Sequence, residues 1–434
     1  MLDITLIREK PEWVKEQLAK RGFDFDYREF LSLDSKTSAE KRVNEETRAF
    51  HNKISAEIGK LSPGKDREDL VKEAHAVVAA ISKSDERLIE YAGRLKDFTS
   101  ALPNIPLAEV QPGGKESNKV VVNNRNVAPM PKFNFTPKDH VELCTKLGLI
   151  DYERAAKMSG AGSWIYTGMG ARLEWALFNY FVDFHTANGY TFIMPPHLLN
   201  HCSGYTAGQF PKFTEEIFCT TIGDERTLDT MSPKFRFLLP TSETALINLH
   251  RNEIIDPERL PFKYFAFSPC YRKEAGSYRT SERGMMRGIQ FNKVEMFAFC
   301  RAEDDEAIFN EFVNNAQTLV EGLGLHYQTV ALAAGDVSAS MAKTYDIEVY
   351  IPSMHGYKEI SSVSTAGDYQ ARRAMIRTHA VGNSKQKSLV YTLNASGLAT
   401  SRLIPAIVEQ FQTKDGRVAV PVVLQKYLGG IKEL

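Results

Sequence analysis

The chain has 434 residues, of which 43% are hydrophobic and 25% charged, and its 54 basic side chains match 54 acidic ones. This length predicts two or three domains with ample core, and a formal net charge of zero excludes a protein that coats nucleic acid by overall positive charge. The five cysteines, Cys144, Cys202, Cys219, Cys270 and Cys300, form no CxxC pair; this argues against a zinc ribbon or disulfide framework and predicts mostly small buried side chains.

From Met1 to Lys20 charges alternate with apolar positions at helical spacing, without the apolar centre of a signal peptide. No later stretch is long and apolar enough to predict a membrane helix, so the expected location is the cytoplasm. A short helix is predicted from about Lys10 to Arg21, with a turn at Gly22. Apolar positions then run Val43, Phe50, Ile54, Ile58, Leu61. After the turn signal Ser62-Pro63-Gly64-Lys65-Asp66 they resume at Leu70, Ala74, Val77, Ile81, Leu88, Tyr91, Leu95, Phe98 and Leu102. Steps of three, four and seven on both sides of a tight turn predict an antiparallel coiled-coil hairpin over about 27–102. Helices of roughly 33–37 residues would make an arm on the order of 50 Å long. Lys36, Lys41, Arg42, Arg48, Lys53, Lys60, Lys65 and Arg67 give it a basic side; this is either a solvated helix face or a grip on a phosphate backbone.

Leu102-Pro103-Asn104-Ile105-Pro106 stops the helix, and 107–132, rich in Gly, Asn and Pro, reads as an extended connection. From 133 to 434 helix-like runs (Asp139–Leu147, Gly170–Ala187, Asp304–Gly322) alternate with strand-like ones (Phe192–Met194, Phe262–Ser268, Val294–Cys300, Ile347–Ile351, Leu389–Thr392). The expected class is α+β, an antiparallel sheet flanked by helices. No GxxxxGK[ST] loop occurs, so any phosphate chemistry rests on arginines and a metal.

The most telling stretch is Tyr271-Arg272-Lys273-Glu274-Ala275-Gly276-Ser277, followed by Arg287 and Phe291 and closing on Lys293-Val294-Glu295. It reads as a hairpin that presents Arg and Glu to a pocket. Arg272 can clamp a phosphate or carboxylate, Glu274 can accept from an amine, and Phe291 can stack on a base. Taken singly, such arginines are more often surface ion pairs, Phe291 a core residue, and Glu295 a strand carboxylate paired with Arg287 or Lys293. Together the run resembles motif 2 of class II aminoacyl-tRNA synthetases in its seryl form. Gly189–Pro196, closing on Pro196, resembles motif 1, and Asn394–Arg402 resembles motif 3, where small residues permit close approach before a helix presents Arg402. There Pro405 is expected within the first helical turn. Thr241-Ser242-Glu243, Glu359-Ile360-Ser361-Ser362, Gly160–Ser163, Gly170–Glu174, Gln209–Phe213 and Asp368–Arg373 also match that family, and the resemblance spans essentially the whole chain.

The resemblance implies a serine–tRNA ligase with an N-terminal tRNA-binding domain over 1–106, a linker over 107–132 and a class II catalytic domain over 133–434. It implies that Arg272 bridges the serine carboxylate and the α-phosphate of ATP, with Arg402 as the second catalytic arginine on the far phosphates. Arg287 would hold the γ-phosphate, Phe291 would lie against adenine, and Glu274 would accept from its amine. Glu359 and Ser362 would contact ATP through Mg²⁺, a hard ion suited to oxygen ligands; no zinc is expected. Thr241, Glu243, Arg272, Glu295 and Ser396 would form the serine pocket. The implied partners are a second copy of the chain, joined through motif 1, and tRNA(Ser), by family also tRNA(Sec), gripped by the arm.

Several positions depart from the family pattern: Arg279–Gly284 replaces the usual Gly-Arg-Asp-x-Arg-Gly, Ile289, preceded by Gly288, stands where His is usual before Gln-Phe, Thr365 replaces Asn, and Ala395 replaces Gly. None is an expected ligand of ATP, Mg²⁺ or serine; the loop belongs to acceptor-end recognition in that family. Two other readings therefore stay open: a paralogue that makes seryl-adenylate for another acceptor or a resistance role, and an idle tRNA-binding paralogue.

Overall fold

The computed structural model describes residues 1–123, 128–221, 232–274, 283–380 and 383–434. They fall into two compact units: 2–19 with 23–103, and Met1 with 20–22 and 104–434.

The first unit is helical. The helix expected over about 10–21 is α2 (Pro11–Ala19), and a further short helix, α1 (Ile4–Glu9), precedes it; Pro11, with no amide proton, suits the start of α2. The long helices are α3 (Tyr27–Ile58) and α4 (Lys65–Ala101). Asp26 caps α3 by accepting from the amides of Arg28 and Glu29. The two helices meet through side chains: Asn44 donates to Asp85 at 2.8 Å, Arg48 to both Asp85 oxygens at 2.7 Å, and Ser84 and Arg87 to Glu40 at 2.7 and 2.9 Å. The positions expected on α4, from Leu70 to Leu102, are all buried or half-buried, as are Ile54 and Ile58 of α3. The rest of the α3 side corrects the sequence reading: Val43, Phe50 and Leu61 are exposed, whereas Asn44 is buried, as is Ser84 of α4. The middle of the facing stripe is polar, so counting apolar residues there picks Val43, one step off it.

The second unit is built on an eight-stranded sheet. In chain order its strands are β1 (Lys119–Asn123), β2 (Thr191–Ile193), β3 (Phe262–Tyr271), β4 (Gln290–Cys300), β5 (Tyr327–Ala331), β6 (Lys343–Ile351), β7 (Gly356–Gly367) and β8 (Tyr391–Ala399); in space they run β1-β5-β6-β7-β8-β4-β3-β2. Every pairing is antiparallel except β2 with β3. The expected strand over Leu389–Thr392 straddles a break: one strand ends at Leu389, and β8 begins at Tyr391. Central β4 is buried on both faces. Val294, Met296, Ala298 and Cys300 pack in the main core with Leu173, Leu177 and Phe181 of α5 (Gly168–Ala187), Phe309 and Phe312 of α6 (Asp305–Gly322), and Leu403 and Ile407 of α8 (Thr400–Gln410). Phe297 and Phe299 pack on the other face with Ala266, Ile376 and residues of α7 (Tyr369–Ala374). Pro405 is the sixth residue of α8, so it lies beyond the first turn where it was expected. Cys144, Cys270 and Cys300 are buried, Cys219 is half-buried, and Cys202 is exposed.

Candidate active site

Register brings the polar residues together. On β4 and β8 Glu295 stands opposite Ser396, and Asn394 opposite Phe297. On β7 and β8 Ser364 stands opposite Asn394, and on β6 and β7 Asp346 stands opposite Ser362. Residues two apart on a strand share a face, so Glu295, Asn394, Ser396 and Ser362 present their polar groups on one side of the sheet.

This side holds two cavities with shared walls. One, of about 290 Å³, is lined by Thr241, Glu243, Glu295, Asn394, Ser396 and Ser362, among others. The other, of about 80 Å³, is lined by Glu274, Arg287, Phe291 and Arg402. Arg272, Lys293, Glu359 and Ser396 line both. All the described site residues expected from the sequence thus converge here.

In the larger cavity Lys293 is 6% exposed and Glu295 1%. They form an ion pair, and Lys293 also donates to the Thr241 hydroxyl at 2.8 Å. Asn394 donates to Glu243 and Glu295, each at 3.2 Å, and Gln370 donates to Glu243 at 2.5 Å. Burial, followed by the nearby charge of Glu295, pushes the Glu243 carboxyl up to about 7, against the opposing pull of Gln370, Lys293 and Arg272. Lys293, Asn394 and Gln370 are additions to the expected set. A buried Lys two residues from a buried Glu, on an otherwise apolar strand, is the signal that could have found Lys293.

In the smaller cavity Arg272 donates to the Pro240 carbonyl at 3.3 Å and its guanidinium lies 5.2 Å from the centre of the Phe291 ring. Arg287 and Glu274 form an ion pair, and Glu274 has a φ of 50°, in the left-handed region uncommon for a side-chain-bearing residue. Arg402 donates to the Glu359 carbonyl at 2.6 Å and lies 3.4 Å from its carboxylate. Gly397, in the small-residue run, cannot carry a side chain: a Cβ would come within 2.5 Å of His185. Gly288 is equally constrained, with Trp164 at 2.1 Å from its Cβ position. Residues 275–282, including Arg279–Glu282 of the altered loop, lie outside the described residues. Ala395 is fully buried and Thr365 donates to Asp305 at 2.7 Å.

A divalent cation needs oxygen donors. Among the described residues, no group of three or more His, Cys, Asp or Glu side chains is arranged to hold one. Glu359 and Ser362 are, however, joined by Asp346, whose Oδ1 is buried with no hydrogen-bond partner. Burial and then the charge of Glu359 drive the Asp346 carboxyl well above its usual range. An all-oxygen set with one unsatisfied buried carboxylate atom suits a hard cation that also takes ligands from substrate phosphates.

The seryl-tRNA synthetase N-terminal domain profile matches residues 1–106, and that of the tRNA synthetase class II core domain (G, H, P, S and T) matches 233–411. The chain is 51% identical to serine–tRNA ligase 2 of Clostridium acetobutylicum and 41% to the serine–tRNA ligase of Thermodesulfovibrio yellowstonii, each alignment covering 99% of both chains. The chain belongs to the seryl-tRNA synthetase family. Its structure resembles that of another member, the seryl-tRNA synthetase from Pyrococcus horikoshii complexed with ATP, with a TM-score of 0.87, 32% identity, and coverage of 100% of this chain and 99% of that one. The cytoplasmic serine–tRNA ligase from Naegleria fowleri in complex with AMP gives a TM-score of 0.82 at 26% identity over 100% of this chain and 98% of that one. Family membership makes the chain a class II ligase with the antiparallel core sheet and flanking helices described above. Among the described residues no helix is long and apolar enough to cross a membrane.

Proposed function

We infer that this protein joins serine to tRNA(Ser) in two steps at this site. A serine carboxylate oxygen attacks the α-phosphorus of ATP, forming the acyl–phosphate bond as the bond to pyrophosphate breaks. The terminal ribose hydroxyl of tRNA then attacks the seryl carbonyl, and AMP leaves. The observation that carries this reading is that Arg272 lines both cavities. One cation between two anion sites can hold carboxylate and phosphate within reach while offsetting their repulsion.

In this reading the larger cavity takes serine and the smaller one ATP. Glu295 is already neutralised by Lys293, so Glu243 is the carboxylate left for the serine ammonium, and Thr241, Glu295 and Ser396 surround the hydroxyl. A pocket that pairs a buried hydroxyl rejects alanine by roughly 10⁴ or more. Arg287 and Arg402 take the outer phosphates, Glu274 and Phe291 the adenine. The expected Mg²⁺ would be held by Glu359 and Ser362 with Asp346 behind them; when bound, it supplies positive charge to the phosphates. In this reading residues 1–106 form the tRNA-binding part and 133–434 the catalytic part, and the connection over 107–132 also lends β1 to the edge of the catalytic sheet. Lys36, Lys53, Lys60, Lys65 and Arg67 are exposed along the hairpin, which supports a nonspecific grip on a tRNA backbone by a coiled-coil arm. The exposed side chains of Trp175, Phe192 and Met194, on or beside the motif 1 helix and strand, support a homodimer. The cytoplasm is the compartment that suits this reaction.

The test is serine-dependent ATP–pyrophosphate exchange, run beside charging of total tRNA with labelled serine. Both activities are expected. Exchange without charging points to another acceptor; neither activity leaves an idle tRNA-binding protein.

A further inference from the structure

We propose that Arg21 is a positioning residue for the serine site, its guanidinium clamping the backbone of the 337–342 loop so that Ser338 and Met341 are held as a wall of the cavity. The proposal rests on the reading of the 290 Å³ cavity as the serine pocket.

Ser338 and Met341 line that cavity, yet the loop carrying them belongs to no strand or helix; it connects β5 to β6. Apart from the Ser338 carbonyl, which also accepts from the Met341 amide at 3.0 Å, its carbonyls from Val337 to Ala342 therefore need donors from elsewhere. Arg21 donates to the Val337 carbonyl at 2.9 Å, to that of Ser338 at 3.3 Å, and to that of Met341. The Asn104 amide donates to the Ala339 carbonyl at 2.7 Å, its side chain to the Ser340 carbonyl at 3.0 Å, and the Leu107 amide to the Ala342 carbonyl at 3.0 Å. Six consecutive carbonyls, from Val337 to Ala342, thus accept from Arg21, Asn104 or Leu107. All of these residues lie in the compact unit that holds the cavity.

The choice of arginine has a physical reason. Its planar fork directs several N–H groups at fixed angles and so can satisfy carbonyls that point in different directions. Among the described residues no carboxylate forms a salt bridge with Arg21. Its hydrogen bonds go to these backbone oxygens, so its buried charge is balanced by carbonyl dipoles of the loop. Burial lowers its pKa to about 10, so it stays charged at neutral pH. Removing the fork leaves Val337 and Met341 carbonyls without this donor and frees the Met341 side chain to shift. The smaller cavity has neither Ser338 nor Met341 in its lining, so the effect should reach serine and spare ATP.

The experiment is steady-state pyrophosphate exchange on the full-length protein and on R21A and R21K, with serine and ATP varied separately, threonine tested as a competing substrate, and thermal melting measured in parallel. R21A should raise the serine KM about tenfold, the scale of a small misplacement in a positioned site, while the ATP KM stays within about twofold. Activation of threonine relative to serine should rise, because Met341 no longer fixes the wall. R21K, which keeps the charge but loses the fork, should fall between the two. Partial unfolding lowers the apparent kcat without moving KM, so the KM split separates positioning from stability; if R21A does not fold, R21K carries the test. Serine and ATP constants that move together, or a serine KM unchanged in both variants, overturn the clamp. Exchange by the unaltered protein that does not depend on serine overturns the functional reading, and the clamp falls with it.

Discussion

At the scale of single residues, two side chains carry the sharpest consequences. Arg272 is the cation between the two cavities, so R272A should lower exchange by at least about 10²-fold, the usual effect of removing one charge-stabilising donor from an active site. Wild-type exchange in R272A would remove that role. Glu243 gives a pH dependence. Its carboxyl titrates at about 7 because burial and Glu295 disfavour its charge, and an incoming ammonium favours the ionised form. The serine KM should therefore fall as pH rises through 7, by up to about tenfold between pH 6 and 8 for a single titrating partner. E243Q retains an oxygen to accept from Gln370 but cannot ionise, so its serine KM should be higher and flat over this range; the same slope in E243Q would assign the titration to another group. The raised pKa also bears on stability. Between the ordinary carboxylate range and pH 7 the unfolded chain has released this proton and the folded one retains it. Stability of the ligand-free protein should thus decline across that window and level off above it. Such environments were invisible in the sequence: Glu243 could be named from its motif, but its pairing with Asn394 and Gln370 depends on chain segments over 100 residues away.

At the scale of elements, the site depends on how α5, β4 and α8 are joined. Glu174 of α5 is 3% exposed and accepts from Thr400 at 2.6 Å, where α8 begins, and from Asn292 of β4 at 3.0 Å. Burial raises its carboxyl to about 7 against those two bonds. E174A would leave the Asn292 amide without its acceptor and Thr400 with only its longer bond to the Asn292 carbonyl at 3.3 Å, at the junction that sets Arg402 and Lys293, and should cost about 2–3 kcal/mol in denaturant unfolding. E174Q, whose amide oxygen can still accept, should cost clearly less; equal losses would mean that packing of the side chain, not its hydrogen bonds, is what matters. The elements also show where sequence patterns succeed. Long amphipathic helices such as α5 and α6, and the apolar run of β4, were legible because burial of one face or both imposes a period. β8 was misjudged because Asn394, Ala395, Ser396 and Gly397 have little strand preference of their own; β4 and β7 on either side hold them extended. The α3 side of the hairpin seam was misjudged near Val43 and Phe50 for the converse reason. Asn44 and Ser84 occupy its interior through mutual polar contacts with Asp85 and Glu40, while Val43 and Phe50 stay exposed.

At the scale of the whole molecule, the division into units gives a separable prediction. The cavities and the loops that line them lie in residues 104–434 with Met1 and Lys20–Gly22, while α3 and α4 belong to the other unit. Activation of serine needs only the cavities; transfer also needs tRNA held in place. Excising Lys36–Asp97 leaves Phe25, Phe30 and Phe98, whose rings pack within 6.2 to 6.4 Å at the base of the hairpin. A short linker can then close the remaining helix stubs with little effect on the rest of the fold. Serine-dependent pyrophosphate exchange should stay within about threefold of the intact protein, since no residue lining the cavities is removed. Charging of tRNA should fall by at least about 10²-fold, with the loss appearing in the KM for tRNA, and in the intact protein that KM should rise steeply with salt because exposed lysines and arginines displace counterions from phosphates. Retained charging would exclude the hairpin as the tRNA grip, whereas loss of exchange together with charging would mean that the two units do not act separately.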